Sequence, residues 1–358
     1  MPSLKEIKGR INSISSTLAI TSAMKMVAAA KLQKAQMAIQ NMLPYERRLH
    51  SMLIDLMGAM NISAAASEDG SVRGSGSAER GFDQSGDRLS LSNRHDLAGM
   101  DGAYSLMAQR EVRKVAIVAF ASNSSLCGAF NSNVIREATA VINEYRASGL
   151  GDADITVYSV GRKMAEAMKK LGFPSPADFT KMSDSPSYDA ASALAQELLD
   201  GFVSGRFDKV ELVYNHYKST SSQPTTRQTY LPLSLADATA DLQAGKIADS
   251  ASESDTNRGA EPVGAPVVRQ GSPTTEDLIV EPSKEELIAT LLPKVVRLRV
   301  FTTLLDSTAA EQAARTVAMQ LATDNGNDLL QELTLEYNKG RQQKITSEIL
   351  DLVGGSMQ

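Results

Sequence analysis

The sequence predicts an α/β domain carried between two long helices that wind together as an antiparallel coiled coil. Two observations predict the coiled coil: an unbroken apolar stripe along the first sixty residues, and a second stripe running almost to the carboxyl end. A third predicts the domain, because short apolar runs alternate with helical patterns over residues 111–235.

Over residues 1–62, alternate steps of three and four from Leu4 meet Ile7, Ile11, Ile14, Leu18, Thr21 and Lys25. The same steps continue through Ala28, Leu32, Ala35, Ile39, Met42 and Glu46 to Leu49, Leu53, Leu56 and Met60. Only Thr21, Lys25 and Glu46 are polar, so the pattern specifies a coiled-coil helix. At ~1.5 Å per residue it is on the order of 85 Å long. Pro44 lacks the helical N–H and is expected to kink or divide the rod.

Residues 63–110 are rich in Ser, Gly, Asp and Arg and are expected to form a low-complexity insertion. The domain follows. Val115–Ala121 reads as a buried strand, Asn131–Ser148 as a helix, Ile155–Val160 as a strand and Gly161–Leu171 as a helix. Tyr188–Val203 is a further helix, and Lys209–Tyr217 and Arg227–Leu233 read as strands joined in an antiparallel hairpin. Alternation of this kind implies a mainly parallel sheet in a Rossmann-like α/β domain.

Residues 236–282 form an acidic insertion: Asp237–Glu281 holds nine acidic residues against Lys246, Arg258 and Arg269. It has too few apolar residues to offset the entropy of ordering. The terminal helix occupies 283–358. Ser283 and Glu286 are spaced as a capping box, followed by Ile288, Leu291, Val295, Leu298, Leu305 and Ala309. A small-residue face, Ala310, Ala313, Ala314, Val317, Ala318 and Leu321, comes next, and Leu329, Leu330, Leu333, Tyr337, Ile345, Ile349 and Leu352 complete the stripe. Pro293 and the Asp324–Asn327 cluster are candidate bends. Two such helices bury their stripes most simply against each other.

Composition narrows the function classes. The chain has 358 residues with a formal net charge of −5, so overall charge favours neither nucleic acid nor an anionic membrane. One cysteine, Cys127, rules out an internal disulfide, and three histidines cannot complete a Cys/His zinc cluster. The amino terminus lacks the apolar core of a signal peptide, and no apolar run approaches the ~20 residues of a membrane span. A reducing, cytosol-facing compartment is expected.

Motifs for chemistry are few. Gly-x-x-x-x-Gly-Lys-Ser/Thr, His-Glu-x-x-His and Gly-x-Ser-x-Gly do not occur, so no cofactor, metal or catalytic residue is expected. Ser122–Asn131 follows a strand and opens a helix, where amides could hold an anion beside Cys127. The arginine a cysteine phosphatase would need six positions later is Asn133, so the segment reads as a packed turn. Residues 1–60 carry eight basic against three acidic residues. Tyr45 is their only aromatic, which argues for an acidic protein partner or a solvated face over nucleic acid.

Five segments carry a resemblance. Ile20–Lys31 (Ile-Thr-Ser-Ala-Met-Lys-Met-Val-Ala-Ala-Ala-Lys), Ser122–Asn131 with Leu126-Cys127-Gly128, Asp208–Ser219, Glu311–Asn325 and Glu332–Glu348 together resemble the gamma subunit of bacterial F-type ATP synthases. The resemblance covers about 1–60, 112–235 and 280–356 in the family's order. It implies a non-catalytic rotor shaft: two terminal helices filling the bore of a hexamer of alpha and beta subunits, with the α/β domain toward the membrane. It also implies contacts with the epsilon subunit and the membrane c-ring, at the cytoplasmic face of the bacterial inner membrane.

By motif position, Met24, Lys25 and Arg315 match residues that face beta, and Arg341, Gln342, Thr346 and Glu348 match a polar patch that meets a beta loop. A sleeve-like apolar contact is implied for Ile349, Leu352 and Val353. The chain departs from the family at Asn123-Ser124-Ser125, where Asp-Arg-Gly is usual, at Ala129, where a second glycine is common, and at Ser356, where alanine is usual. Both insertions exceed the usual bacterial form, and the acidic one is expected to protrude from the domain and modulate rotation. The alternative reading is a coiled-coil scaffold with a ligand-binding α/β domain.

Overall fold

A computed structural model describes residues 3–59, 106–107, 109–233, 281 and 284–356. The two insertions expected at 63–110 and 236–282 lie almost wholly outside the described residues, as does Ser283 of the expected capping box. The chain runs α1 (Leu4–Ala59), β1 (Val115–Phe120), α2 (Phe130–Ala147), β2 (Ile155–Val160), α3 (Arg162–Lys170), α4 (Thr180–Asp184), α5 (Tyr188–Val203), β3 (Lys209–Asn215), β4 (Thr225–Leu231) and α6 (Lys284–Ser356).

The apolar stripe of α1 is the face it covers. From Leu4 to Leu56 each stripe position is buried or half-buried, and the residues between are mostly exposed. Its partner is α6, in antiparallel register: a β-carbon on Gly340 would meet Leu4, one on Gly326 would meet Leu18, and Thr323 donates to Thr21 at 3.1 Å. Fourteen residues forward along α1 are matched by fourteen backward along α6.

Pro44 does not divide the rod, since α1 is one helix of 56 residues. Pro44 lies on an exposed face, so the carbonyl of Gln40 that loses its donor is solvated. Buried Leu49, Leu53 and Leu56 hold the helix against its neighbours beyond that point. Neither Pro293 nor the Asp324–Asn327 cluster ends α6, which spans 73 residues. Gly326 serves there as a small residue beneath Leu18, because a β-carbon would come within 2.6 Å of the leucine Cδ2.

The sheet has the order β2-β1-β3-β4, with β1 parallel to β2 and β3, and β4 antiparallel to β3. Every residue of β1 is buried, as befits a central strand covered on both faces. Its alternating side chains serve two cores. Val115, Ile117 and Ala119 pack with Val134 and Ile142 of α2 and with Met164 and Met168 of α3. Ala116, Val118 and Phe120 face the other way, onto Leu194 and Leu198 of α5, Leu49 and Leu53 of α1, and Val296 and Val300 of α6. The ends of both long helices therefore form part of the layer covering the sheet.

Two strand ends differ from expectation for identifiable reasons. β3 stops at Asn215 instead of Tyr217, because His216 and Tyr217 turn to Asp306 of α6. β4 occupies Thr225–Leu231 instead of Arg227–Leu233, ending where Pro232 supplies no N–H. The short helix α4 carried no signal in the periodicity, being only five residues long.

Candidate functional site: the shaft and its joint to the domain

Three stretches of the shaft hold the residues singled out above, and the fold keeps them apart. Met24 and Lys25 are half-buried on α1, opposite the turns of α6 just before Thr323. Around them Ile20, Met26 and Val27 are 61%, 65% and 56% exposed, and Leu321 of α6 is 58% exposed. This apolar surface faces outward from the coiled coil. Arg341, Gln342, Thr346 and Glu348 are all exposed, on turns past Gly340 and so beyond the start of α1. Within the chain their contacts are local: Thr346 donates to the Gln342 carbonyl at 2.9 Å, and Lys344 lies 3.7 Å from Glu348.

Arg315 is placed differently. It is 7% exposed, and its guanidinium donates to the Ser125 carbonyl at 2.6 Å, to Ser124 Oγ at 2.9 Å and to Glu311 at 2.7 Å. In place of the family's charged turn, Asn123-Ser124-Ser125 offers uncharged acceptors to a guanidinium on the shaft. Burial pushes the Glu311 carboxyl up from its ordinary range, against the opposing pull of Arg315. Asn123 completes the turn, donating to the Thr180 carbonyl and accepting from the Arg162 backbone N–H.

The same turn holds Cys127, which is 1% exposed between Phe130 and Ala310. Leu126 and Gly128 adopt positive φ of 67° and 58°, swinging the chain so that the thiol turns inward and the Leu126 side chain stays 57% exposed. Asn131 Nδ2 lies 3.2 Å from the sulfur. Ser122 Oγ and the Ser124 carbonyl each lie 3.8 Å from it, so the geometry is that of a packed strand-to-helix turn.

Sequence reasoning missed the joint itself. Asp306, the one charged residue between Arg299 and Glu311 on α6, accepts from the Tyr217 N–H at 2.9 Å and lies 2.6 Å from His216 Nδ1. The hydrogen bond to Asp306 holds the His216 imidazole above its ordinary 6.5, with burial opposing. Gln36 of α1 donates to the Tyr217 hydroxyl at 2.7 Å, so one short segment ties both shaft helices to β3. Nearer the start of α6, fully buried Tyr230 donates to the Val296 carbonyl at 3.0 Å. The available signal was a lone carboxylate between Leu305 and Ser307, a position where an unpartnered charge would be costly.

Among the described residues, no group of three or more His, Cys, Asp or Glu side chains could hold a metal ion. Nor is any helix among them long and apolar enough to cross a membrane.

A two-helix shaft with an α/β domain keyed into its side defines a mechanical subunit class, and comparison with known proteins agrees. The ATP synthase family model matches residues 3–357. The ATP synthase gamma chain of Phocaeicola vulgatus is 47% identical over 357 residues, and that of Bacteroides thetaiotaomicron 45% over 358, each alignment covering 100% of both chains. In fold, the chain is similar to one from the Euglena gracilis mitochondrial ATP synthase in its OSCP/F1/c-ring assembly, rotational state 3. The TM-score is 0.52 at 19% identity, covering 99% of this chain and 93% of that one. The chain belongs to the ATP synthase gamma chain family, whose members are non-catalytic subunits.

Proposed function

We propose that this chain is the rotor shaft of an F-type ATP synthase, turned by a proton-driven membrane c-ring and biasing the catalytic beta subunits in sequence. The observation that carries the reading is the length mismatch of the coiled coil. α6 continues about 16 residues past Gly340, on the order of 24 Å, with exposed Ile345, Ile349, Leu350 and Leu352, beyond the point where the described part of α1 begins. Exposed Ile345, Ile349, Leu350 and Leu352 on one helix end call for an apolar collar.

In this reading the alpha and beta subunits surround the shaft, and the epsilon subunit and c-ring meet the domain end. No nucleic acid, cofactor or metal is involved. The protein is peripheral, at the cytoplasmic face of the bacterial inner membrane. The chain divides into a helix over 1–62, an insertion over 63–110, the α/β domain over 111–235, an acidic insertion over 236–282 and a helix over 283–358. The acidic insertion over 236–282 modulates rotation; unchanged coupling and assembly after its deletion would rule that out.

Coupling follows from differential contact. The shaft has unlike faces, one bearing Met24, Lys25 and their apolar neighbours, another bearing the polar patch of Arg341, Gln342, Thr346 and Glu348. Each beta subunit therefore meets a different surface at each angle, and the difference in contact energy shifts its conformer populations. Arg315 acts through the turn it holds, locking the domain to the shaft so that torque passes without slip.

The test is reconstitution of the organism's alpha and beta subunits with and without this chain. One copy per three beta subunits, and ATP hydrolysis that requires it, is the expected result. Failure to assemble with folded partners would favour the scaffold reading.

A further inference from the structure

The domain meets the shaft through two kinds of contact that respond differently to shear. Under the sheet the contact is apolar: Leu49 and Leu53 of α1 and Val296 and Val300 of α6 share one core with Leu194 and Leu198 of α5. Apolar burial is non-directional and scales with the area withdrawn from water, so it resists separation more than a small slide. A hydrogen bond has a preferred length and angle and weakens steeply when either departs. Directional bonds between domain and shaft are therefore the contacts that oppose a twist of one about the other.

Such bonds gather at the end of β3. Asp306 of α6 uses both carboxylate oxygens there: Oδ1 accepts from the Tyr217 N–H at 2.9 Å, and Oδ2 lies 2.6 Å from His216 Nδ1. The Asp306 side chain is 18% exposed, so little water competes for these bonds, and bonds to an ionised carboxylate are of the stronger kind. From the opposite helix, Gln36 donates to the Tyr217 hydroxyl at 2.7 Å. The Tyr217 ring packs against Leu32, Ala35 and Ala309 of the shaft and against Cys127 and Phe130 of the domain. The strand end that carries it is itself anchored. Asn215, 1% exposed, donates to the Phe130 carbonyl at 3.1 Å and accepts from the Thr225 hydroxyl at 2.7 Å, and the His216 N–H donates to the Pro224 carbonyl at 2.9 Å.

We propose that Asp306 is a positioning residue for torque transfer: by gripping Tyr217, which Gln36 holds from the other helix, it makes the domain and both shaft helices turn as one body under load. Arg315 fastens the domain to α6, whereas the Asp306–Tyr217–Gln36 chain of bonds crosses from α6 through the domain to α1. The inference rests on the rotor reading and deepens it, naming the side chain through which a turning force on the domain enters the shaft.

The test reconstitutes the whole synthase, with the unmodified chain or with Asp306→Ala, into phosphatidylcholine vesicles and follows ATP hydrolysis and ATP-driven proton uptake together. With an uncoupler present no gradient opposes rotation, and hydrolysis by the variant is expected to equal that of the unmodified complex. Without uncoupler, Asp306→Ala settles at a lower steady-state gradient while hydrolysis continues, because the remaining contacts yield as the load grows. Asp306→Asn restores the gradient, since its amide oxygen still accepts from the Tyr217 N–H. Tyr217→Phe removes only the bond to Gln36; it shows a smaller loss of the same kind and serves if Asp306→Ala fails to fold. An unchanged gradient in folded Asp306→Ala, or in Tyr217→Phe where that variant has to serve, would overturn the proposal. So would Asp306→Asn behaving no better than the alanine variant, or hydrolysis lost equally with and without load, which marks a structural role alone. If the unmodified chain itself supports no proton uptake, the rotor reading fails and this inference falls with it.

Discussion

Arg315 Nη1 donates to the Ser125 carbonyl at 2.6 Å across a sequence separation of 190 residues, fastening the middle of the last helix to the first strand-to-helix turn of the domain. The contact sits in the neck of the molecule, where Ala309, Ala310 and Ala313 are fully buried. Small side chains let the backbones approach, and one guanidinium with its own carboxylate partner supplies the polar lock.

Replacing Arg315 by Gln leaves Glu311 buried without its ion pair. Breaking a buried pair from one side costs about 3–5 kcal/mol, measurable by denaturant unfolding. The Glu311 carboxyl is already raised by burial, and a raised carboxyl stabilises the fold below its unfolded value of 4.5 and loses that contribution as pH rises through the folded value. The deficit of the variant is therefore smaller at about pH 5 than at about pH 8. A deficit independent of pH would contradict this account.

Glu211 gives the opposite sign. It is 1% exposed, and accepts from Arg227 at 2.7 Å and from the Tyr145 hydroxyl at 2.7 Å, with Lys209 Nζ also 2.7 Å away. Burial alone would raise its carboxyl, but the hydrogen bonds from Arg227, Lys209 and Tyr145 outweigh it and hold the value below the ordinary 4.5. Its stabilisation is present above pH 4.5 and lost as pH falls through the lower folded value. Glu211→Gln should cost about 2–4 kcal/mol at neutral pH and flatten the stability curve below pH 4.5. Acid titration of both proteins by circular dichroism checks both points.

Ala313 is fully buried against Leu32 and Ala35. Ala313→Leu adds volume between these buried side chains and should cost about 1–3 kcal/mol by overpacking. A thermal melt of the full chain reads the loss; an unchanged melt would mean that the neck is less tightly packed than described.

Truncation after Gly340 removes turns whose described side chains are all exposed. The melting temperature of the free chain should therefore stay unchanged, while ATP hydrolysis of the reconstituted complex falls. Loss of stability in the free chain would show that the final turns fold back onto it.

The helix stripes, the parallel core and the hairpin were legible because each is written in a local period. A step of three and four, or of two, survives in the sequence whatever lies opposite, and Leu4 through Leu56 kept it without a break. Residues such as Arg341 and Glu348 were singled out through family resemblance alone, since an exposed polar residue carries no periodic mark. Pro44 does not divide α1, because its local penalty is set against burial that only the partner helix supplies.

Tertiary structure alone decided the joint. Nothing near Asp306 in sequence indicates that His216 and Tyr217 would reach it, nor does Glu-Gln-Ala-Ala-Arg indicate that Arg315 turns inward to Ser125. The physical reason is range. Periodicity records which face of an element is covered, whereas a charge at least partly withdrawn from water is satisfied by whichever partner the packing brings within hydrogen-bond distance, and that partner lies 90 residues away for Asp306 and 190 for Arg315.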